Sequence, residues 1–166
     1  MKKIIITGGS GFIGSNLIKK ALKQGYKVVN LDLITYASSS YNNKNLISNP
    51  DYKFIKVDIR DFKKIDEIIT YEKPDFIMNL AAETHVDNSI ISPQSFIQTN
   101  IVGTFNLLEA SRKYLIKNNS PTFIFHHIST DEVFGSLGKD GSFNEKTPYS
   151  PRSPYSASKA SSDHLV

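Results

Sequence analysis

Residues 7–14 read TGGSGFIG, with Gly8, Gly11 and Gly14 three apart. The loop sits between the apolar run KKIIIT and the periodic stretch GFIGSNLIKKALKQG, which Gly25 closes. That context makes it a spacing variant of the dinucleotide fingerprint. Glycines permit a tight turn, close backbone approach to a pyrophosphate and tight helix packing. The helix N-terminus adds free amide donors and a partial positive charge. By itself a glycine pattern is weak, so the strands that follow have to support it.

They do so in order. Asp32 ends the second apolar run, YKVVNLDL, 18 residues beyond Gly14. A carboxylate there can accept hydrogen bonds from a ribose diol and repels a 2′-phosphate, which favours NAD over NADP. Asp58, in VDIRD, ends the third run, YKFIKVDI, where an adenine amino group would lie. NLAAETH ends the fourth, PDFIMNLAA, and small Ala81 and Ala82 leave room for a dinucleotide. One polar strand end is explained by capping alone; polar ends on consecutive strands are what a ligand crevice requires.

Between the strands, FKKIDEIITYEK spaces Phe62, Ile65, Ile68 and Ile69 as one helix face, and Pro74 stops it. SPQSFIQTNIVGTFNLLEASRKYL reads as one long helix, TFIFHHIS as a fifth strand, and SPYSASKASSDHLV as the start of another helix. Alternating apolar strands and helices predict an α/β fold: a doubly wound parallel sheet, the Rossmann fold. YASSSYNNKNLISNP and GSLGKDGSFNEKTPYSPRSP read as loops. The first is either a linker or, from its place after the second strand, a contact to cofactor or substrate.

Composition narrows the alternatives. At 166 residues the chain can bury one real core. No apolar run approaches the roughly 20 residues that span a bilayer, and the basic start MKKIII runs into glycines too soon for a signal peptide. No membrane partner is therefore expected. The net charge of +4 comes from scattered lysines, so no nucleic-acid partner is expected either. Absence of cysteine excludes disulfides and thiolate sites and suits a reducing, cytoplasmic setting. With no cysteine and no paired histidine spacing, no metal is expected. His126 and His127 fall in a strand and read as structural, and His164 as a helix-surface residue.

Tyr155 and Lys159, in YSASK, are four apart and share a helix face. Tyrosine, with a pKa near 10, is a poor base at neutral pH. A nearby ammonium and an oxidised nicotinamide would both favour its phenolate, which could take the proton of a hydroxyl as hydride leaves the carbon. The pair is common by chance and often structural; the glycine loop is what gives it weight.

With these motifs the whole chain resembles the extended short-chain dehydrogenase/reductases. TGGSGFIG, LDLITYA, FIKVDIRD, NLAAETHVDNSI, ISTDEVFGSLG and SPYSASKASSDHLV resemble the dTDP-glucose 4,6-dehydratase family within them. STDEVFG discriminates most, because epimerases and simple reductases lack an adjacent acid pair after the threonine. The resemblance implies Asp131 as the acid for the departing O6, Glu132 as the base for the C5 proton, and Thr130 as a hydrogen-bonding partner of O4. Asp131 must then hold a proton, which requires burial or a neighbouring negative charge. By itself TDE would read as a helix cap with acids on the macrodipole. Besides Gly8, Gly11, Gly14, Asp32, Asp58, Ala81, Ala82, Tyr155 and Lys159, the resemblance implies cofactor contacts at Phe12, Ile13, Leu33, Ile34, Thr35, Ile59, Leu80, Thr84 and Thr99. It implies sugar contacts at Thr84, His85 and Thr130, an NAD cofactor, a nucleotide-sugar substrate and a homodimer in the full-length form.

TYASSS stands where the family commonly has TYAGN, and Asn88 replaces a usual arginine. Both touch loops around the nucleotide site. The family also has further sheet and a C-terminal lobe that binds the nucleoside diphosphate, and neither follows Val166. Residues 1–166 are thus expected to be an incomplete NAD-binding domain, truncated before the substrate lobe and inactive alone, with Tyr155 and Lys159 water-exposed. Another nucleoside-diphosphate-sugar dehydratase or epimerase, or a non-catalytic NAD-binding module, are the alternatives.

Overall fold

Ile4, Ile5 and Ile6 divide between two cores. Ile4 and Ile6 pack with Ile18, Ala21, Val28 and Tyr52; Ile5 packs with Val29, Leu31, Ile65, Ile69, Ile77 and Leu107. That period-two division is what a strand covered on both faces requires. A computed structural model describes residues 1–118 and 122–166.

Strand β1 (Lys3–Thr7) is the centre of a five-stranded sheet with β2 (Lys27–Asp32), β3 (Tyr52–Lys56), β4 (Phe76–Asn79) and β5 (Ile124–His127). All pairs are parallel, in the order β3-β2-β1-β4-β5. The chain winds outward from β1 to β3, then returns across β1 to lay down β4 and β5. Their carboxyl ends therefore diverge at β1 and β4, the switch point where open α/β sheets form crevices.

Helix α1 (Phe12–Lys23) buries Gly14, Ser15, Ile18 and Ala21 and ends at Gly25, whose φ of +82° suits a helix stop. Helix α2 (Phe62–Glu72) turns Ile65 and Ile69 onto the other face, capped by the Asp61 side chain. Four further helices follow: α3 (Val86–Ile91), α4 (Pro93–Phe96), α5 (Thr104–Asn118) and α6 (Pro154–Leu165). None among the described residues is long and apolar enough to cross a membrane.

The doubly wound sheet expected from the sequence is present, with three differences of detail. The stretch expected to be one long helix contains a π-helical stretch, Ile97–Gly103, between α4 and α5. A wider turn lets Asn100 act outside its own helix. Its carbonyl accepts from Ser162 at 2.7 Å, and its Nδ2 donates to Ser158 at 2.8 Å and to the Glu83 carbonyl at 2.9 Å. One residue thus joins α6 to the β4 loop. The stretch read as a loop after β2 contains a 3-10 helix, Ser40–Leu46. Its Asn42 and Asn43 donate to the carbonyls of Ser10 and Gly9, each at 2.8 Å, clamping the glycine loop from behind. The short α3 was absent from the sequence reading, because VDNSII has no periodicity long enough to declare it.

Gly8 and Gly25 both have positive φ, at +66° and +82°, but differ in surroundings. A Cβ on Gly8 would lie 2.8 Å from the Ala81 amide nitrogen, whereas one on Gly25 meets nothing within 4 Å. Gly25→Ala should cost only the left-handed strain, about 1–2 kcal/mol. Gly8→Ala should cost about 1–3 kcal/mol more, because backbone must move. Urea unfolding of both variants measures the difference; equal costs would show that β1 and β4 are not in the contact described.

Candidate active site

The carboxyl ends of the strands open into a cleft of about 470 Å³. Its floor is the glycine loop. Gly8 donates to the Leu31 carbonyl at 2.8 Å, and a Cβ on Gly14 would fall 2.3 Å from the Gly8 carbonyl, so α1 starts flush against the loop. Gly11 caps α1 with no side-chain acceptor, and no acid stands in the first turn. The opening amides and the positive end of the helix are therefore free to meet an anion at the cleft.

Asp32 lies beside this floor, 7% exposed. One carboxylate oxygen accepts from the Ser10 amide at 2.9 Å, the other from the Ile34 amide at 2.7 Å and the Ser38 hydroxyl at 3.1 Å. A carboxylate offers about four acceptor positions, so this one is oriented and still has capacity for a ligand. Ile34 supplies its amide at a φ of +58°, uncommon for a branched residue. Asp58 lies beyond β3, which ends at Lys56, rather than terminating it. Burial pushes its carboxyl up, but the hydrogen bonds and charge of Arg60 outweigh that and hold it below the usual range. The Arg60 Nε contacts are 2.8 and 2.9 Å.

Of the residues expected to bind a cofactor, Gly8, Gly11, Phe12, Ile13, Gly14, Asp32, Leu33, Thr35, Asp58, Ile59, Leu80, Ala81, Ala82, Thr84, Thr99, Tyr155 and Lys159 line the cleft. Ile34 does not; it acts through Asp32. His85 is exposed, leads into α3 and stays outside the lining. Arg60, Glu83, Ser38, Ser95 and Ser129 also line the cleft and were not foreseen. Arg60 had a signal in VDIRD, an arginine two residues past a strand-end acid; the serines had none.

Tyr155 and Lys159 stand in the first and second turns of α6, which opens with a reciprocal cap. Ser153 accepts the Ser156 amide at 3.0 Å, and the Ser156 hydroxyl accepts the Ser153 amide at 3.0 Å. The expectation that the pair is water-exposed is not met: Tyr155 is 8% and Lys159 4% exposed. Packing accounts for this, since α6 is held by Asn100 and its tyrosine ring meets Phe96 edge-on at 6.3 Å. Burial pushes the Tyr155 phenol up, a hydrogen bond with Thr130 opposes that, and the charges of Glu132 and Asp131 push it further up. Burial brings the Lys159 ammonium down to about 8, partly offset by Asp163. Its Nζ donates to the Ile128 carbonyl at 2.5 Å.

Thr130, Asp131 and Glu132 lie together on a 3-10 turn, Asp131–Phe134, which Thr130 caps by accepting the Glu132 amide at 3.3 Å. The cap reading of TDE is what the geometry shows; the turn also carries two exposed carboxylates near the Tyr155 phenol, so Asp131 lacks burial and has Glu132 as its neighbouring negative charge. Tyr155 and Lys159 line the cleft, whereas Thr130, Asp131 and Glu132 stay outside its lining, on the Tyr155 side; such a set of groups can exchange protons with a bound polyol. A dinucleotide fits the floor, because the glycine cradle, the free helix end and Asp32 offer pyrophosphate and ribose partners.

The sequence matches the family described as GDP-mannose 4,6 dehydratase over residues 5–166. It is 53% identical over 171 residues to a dTDP-glucose 4,6-dehydratase of Neisseria meningitidis, covering 100% of this chain and 48% of that protein. Among solved structures it is similar to a dTDP-glucose 4,6-dehydratase from Streptomyces venezuelae with NAD and dTDP bound, at TM-score 0.88 and 37% identity, over 98% of this chain and 50% of that one. It also resembles a UDP-Glc/GlcNAc 4-epimerase from Campylobacter jejuni, at TM-score 0.88 and 28% identity, over 99% and 48%. The chain spans about half the length of the curated relatives it matches.

His127 generates a stability prediction. Burial, then the Lys159 charge, bring its pKa from 6.5 down to about 4, so the fold keeps it neutral. Above about pH 6.5 neither folded nor unfolded chain protonates it, and its contribution is intact. Between about 6.5 and 4 the unfolded chain takes the proton and the fold does not, so stability falls by up to about 1.4 kcal/mol per unit. Urea midpoints measured from pH 7 to 5 should fall, and His127→Asn should flatten that slope. An unchanged slope in the variant would place the acid sensitivity elsewhere.

Proposed function

The chain belongs to the GDP-mannose 4,6-dehydratase family, and from that premise we propose that it is the NAD-holding, catalytic part of a dTDP-glucose 4,6-dehydratase. The reaction is loss of water from dTDP-glucose to give dTDP-4-keto-6-deoxyglucose. The observation that carries this reading is the Asp131–Glu132 pair, on the turn capped by Thr130, with both charges acting on the Tyr155 phenol. Epimerisation needs no second acid and base; elimination needs both.

Bound NAD would supply the hydride acceptor that oxidation at C4 needs and the hydride donor that reduction at C6 needs. The chain's residues handle the protons. Tyr155 takes the O4 proton as a phenolate, which the positive charge of bound NAD would favour against the burial that raises its pKa; Thr130 holds O4, and Lys159 lies one helical turn further along. Once C4 is a ketone the C5 hydrogen is acidic enough for a carboxylate. Glu132 removes it, the C6–O6 bond breaks, Asp131 protonates O6 so that it leaves as water, and Glu132 returns a proton to C5 as C6 is reduced. Thr84 and His85 are proposed sugar contacts at the β4 end. Asp32, beside the ribose position, favours NAD over NADP by accepting a diol and repelling a 2′-phosphate. Residues 1–166 as the dinucleotide domain, a substrate lobe beyond them, a homodimer and a cytoplasmic setting belong to the same proposal.

Titration calorimetry of the chain should show NAD binding more tightly than NADP, with Asp32→Ala weakening NAD and narrowing the gap. Equal affinity of the unmutated chain for both cofactors would remove Asp32 from the assignment. In the protein that contains this chain, 4-keto-6-deoxy product should form from dTDP-glucose in preference to GDP-mannose or UDP-glucose; a reversed preference moves the substrate to another nucleotide.

For the acid pair, Glu132→Gln in that protein should spare C4 oxidation and block elimination. Reduced cofactor should then accumulate in the absorbance spectrum, with C5 deuterium retained by the sugar. Undiminished dehydration in this variant would take the base role away from Glu132.

A further inference from the structure

His127 and Asp163 belong to neither the cleft lining nor the proposed proton chemistry, yet both stand against Lys159. The His127 side chain, on β5, is 5% exposed, and its Nε2 lies 3.3 Å from Lys159 Nζ and 3.5 Å from Asp163 Oδ1. Its Nδ1 lies 3.1 Å from Asn79 Nδ2.

The partners of Asn79 fix which ring nitrogen carries the proton. Thr7 Oγ1 already accepts the amides of Leu80 and Ala81, at 3.2 and 3.1 Å, so its own proton goes to Asn79 Oδ1 at 2.6 Å. The amide nitrogen of Asn79 must then face Thr104 and His127. A donor aimed at Nδ1 requires a lone pair there, so neutral His127 carries its proton on Nε2. That proton points at two candidate acceptors, the Lys159 amine and the Asp163 carboxylate. Asp163 Oδ2 is already taken by Ser129 Oγ at 2.5 Å and Tyr149 OH at 3.0 Å, which leaves Oδ1 for the ring.

We propose that His127 and Asp163 are positioning residues for Lys159: His127, fixed as the Nε2–H form by Asn79, donates to the lysine when it is an amine and to Asp163 when it is an ammonium. The pair thereby sets how readily a buried lysine releases its proton. The other charged groups in reach are few. Tyr155 stands one turn back on α6, His126 adjoins His127, and Asp131 and Glu132 act on Tyr155 from the 3-10 turn. Asp163 is the group whose charge favours the ammonium, against burial that disfavours it.

The role matters for function only if Lys159 serves the proposed reaction, but its test needs neither dinucleotide nor sugar, so either can fail without the other. In chain labelled with ¹³C-lysine and ¹⁵N-histidine, NMR should show Lys159 titrating near 8. His127 Nδ1 should be unprotonated across the neutral range, and its Nε2 resonance should move with the Lys159 titration. Asp163→Asn should lower the Lys159 midpoint by about one unit, a tenfold loss of proton affinity, and Asp163→Glu should restore part of it. A proton on Nδ1 in the unmutated chain overturns the proposal, whether or not the variants fold. So does an unmoved Lys159 midpoint in folded Asp163→Asn.

Discussion

Everything at the cleft depends on one approach of backbone to backbone. Gly8 stands where a Cβ would reach to 2.8 Å from the Ala81 amide, and Gly14 where one would reach to 2.3 Å from the Gly8 carbonyl. Without side chains at those two points, β1, β4 and α1 converge, and Asp32, Asp58 and the loop after β4 line one volume. The convergence is held from behind as well, where Asn42 and Asn43 bond the Ser10 and Gly9 carbonyls. A loop so constrained presents its amides without further ordering, so a ligand meets a surface already arranged.

The charges are laid out in opposite senses at the two sides of that volume. The α1 end is positive and carries no acid of its own, while Asp32 is a fixed anion held by two amides and a hydroxyl. An anion and a hydrogen-bond donor would therefore find separate partners a few residues apart. Further along, Tyr155 and Lys159 are both shifted against ionisation by burial. Charge brought in by a ligand would act on groups that solvent does not screen.

The fold was legible because its signals are local. The apolar run of β1, the glycine loop and each polar strand end occupy fewer than ten consecutive residues. The residues that form the cleft floor were legible for the same reason. What sequence missed depends on distant partners. Asn100 reads as one polar residue on a helix, and nothing near it announces Ser158 or Ser162 of α6. His127 lies 32 residues from Lys159 and 36 from Asp163, and its surroundings exist only once β5 and α6 are side by side. The expectation of an exposed Tyr–Lys pair failed for a related reason: the cover over α6 comes from α3, α4 and the π-helical stretch, whose packing against it no local pattern announces.

The reciprocal cap on α6 has a consequence for motion. Tyr155 is the second residue of the helix, inside the turn that Ser153 and Ser156 lock. Short helices unwind from their ends, and a locked start removes one of the two places where unwinding begins. The backbone that carries the phenol is therefore fixed from the capped side, before the helix has completed its first turn.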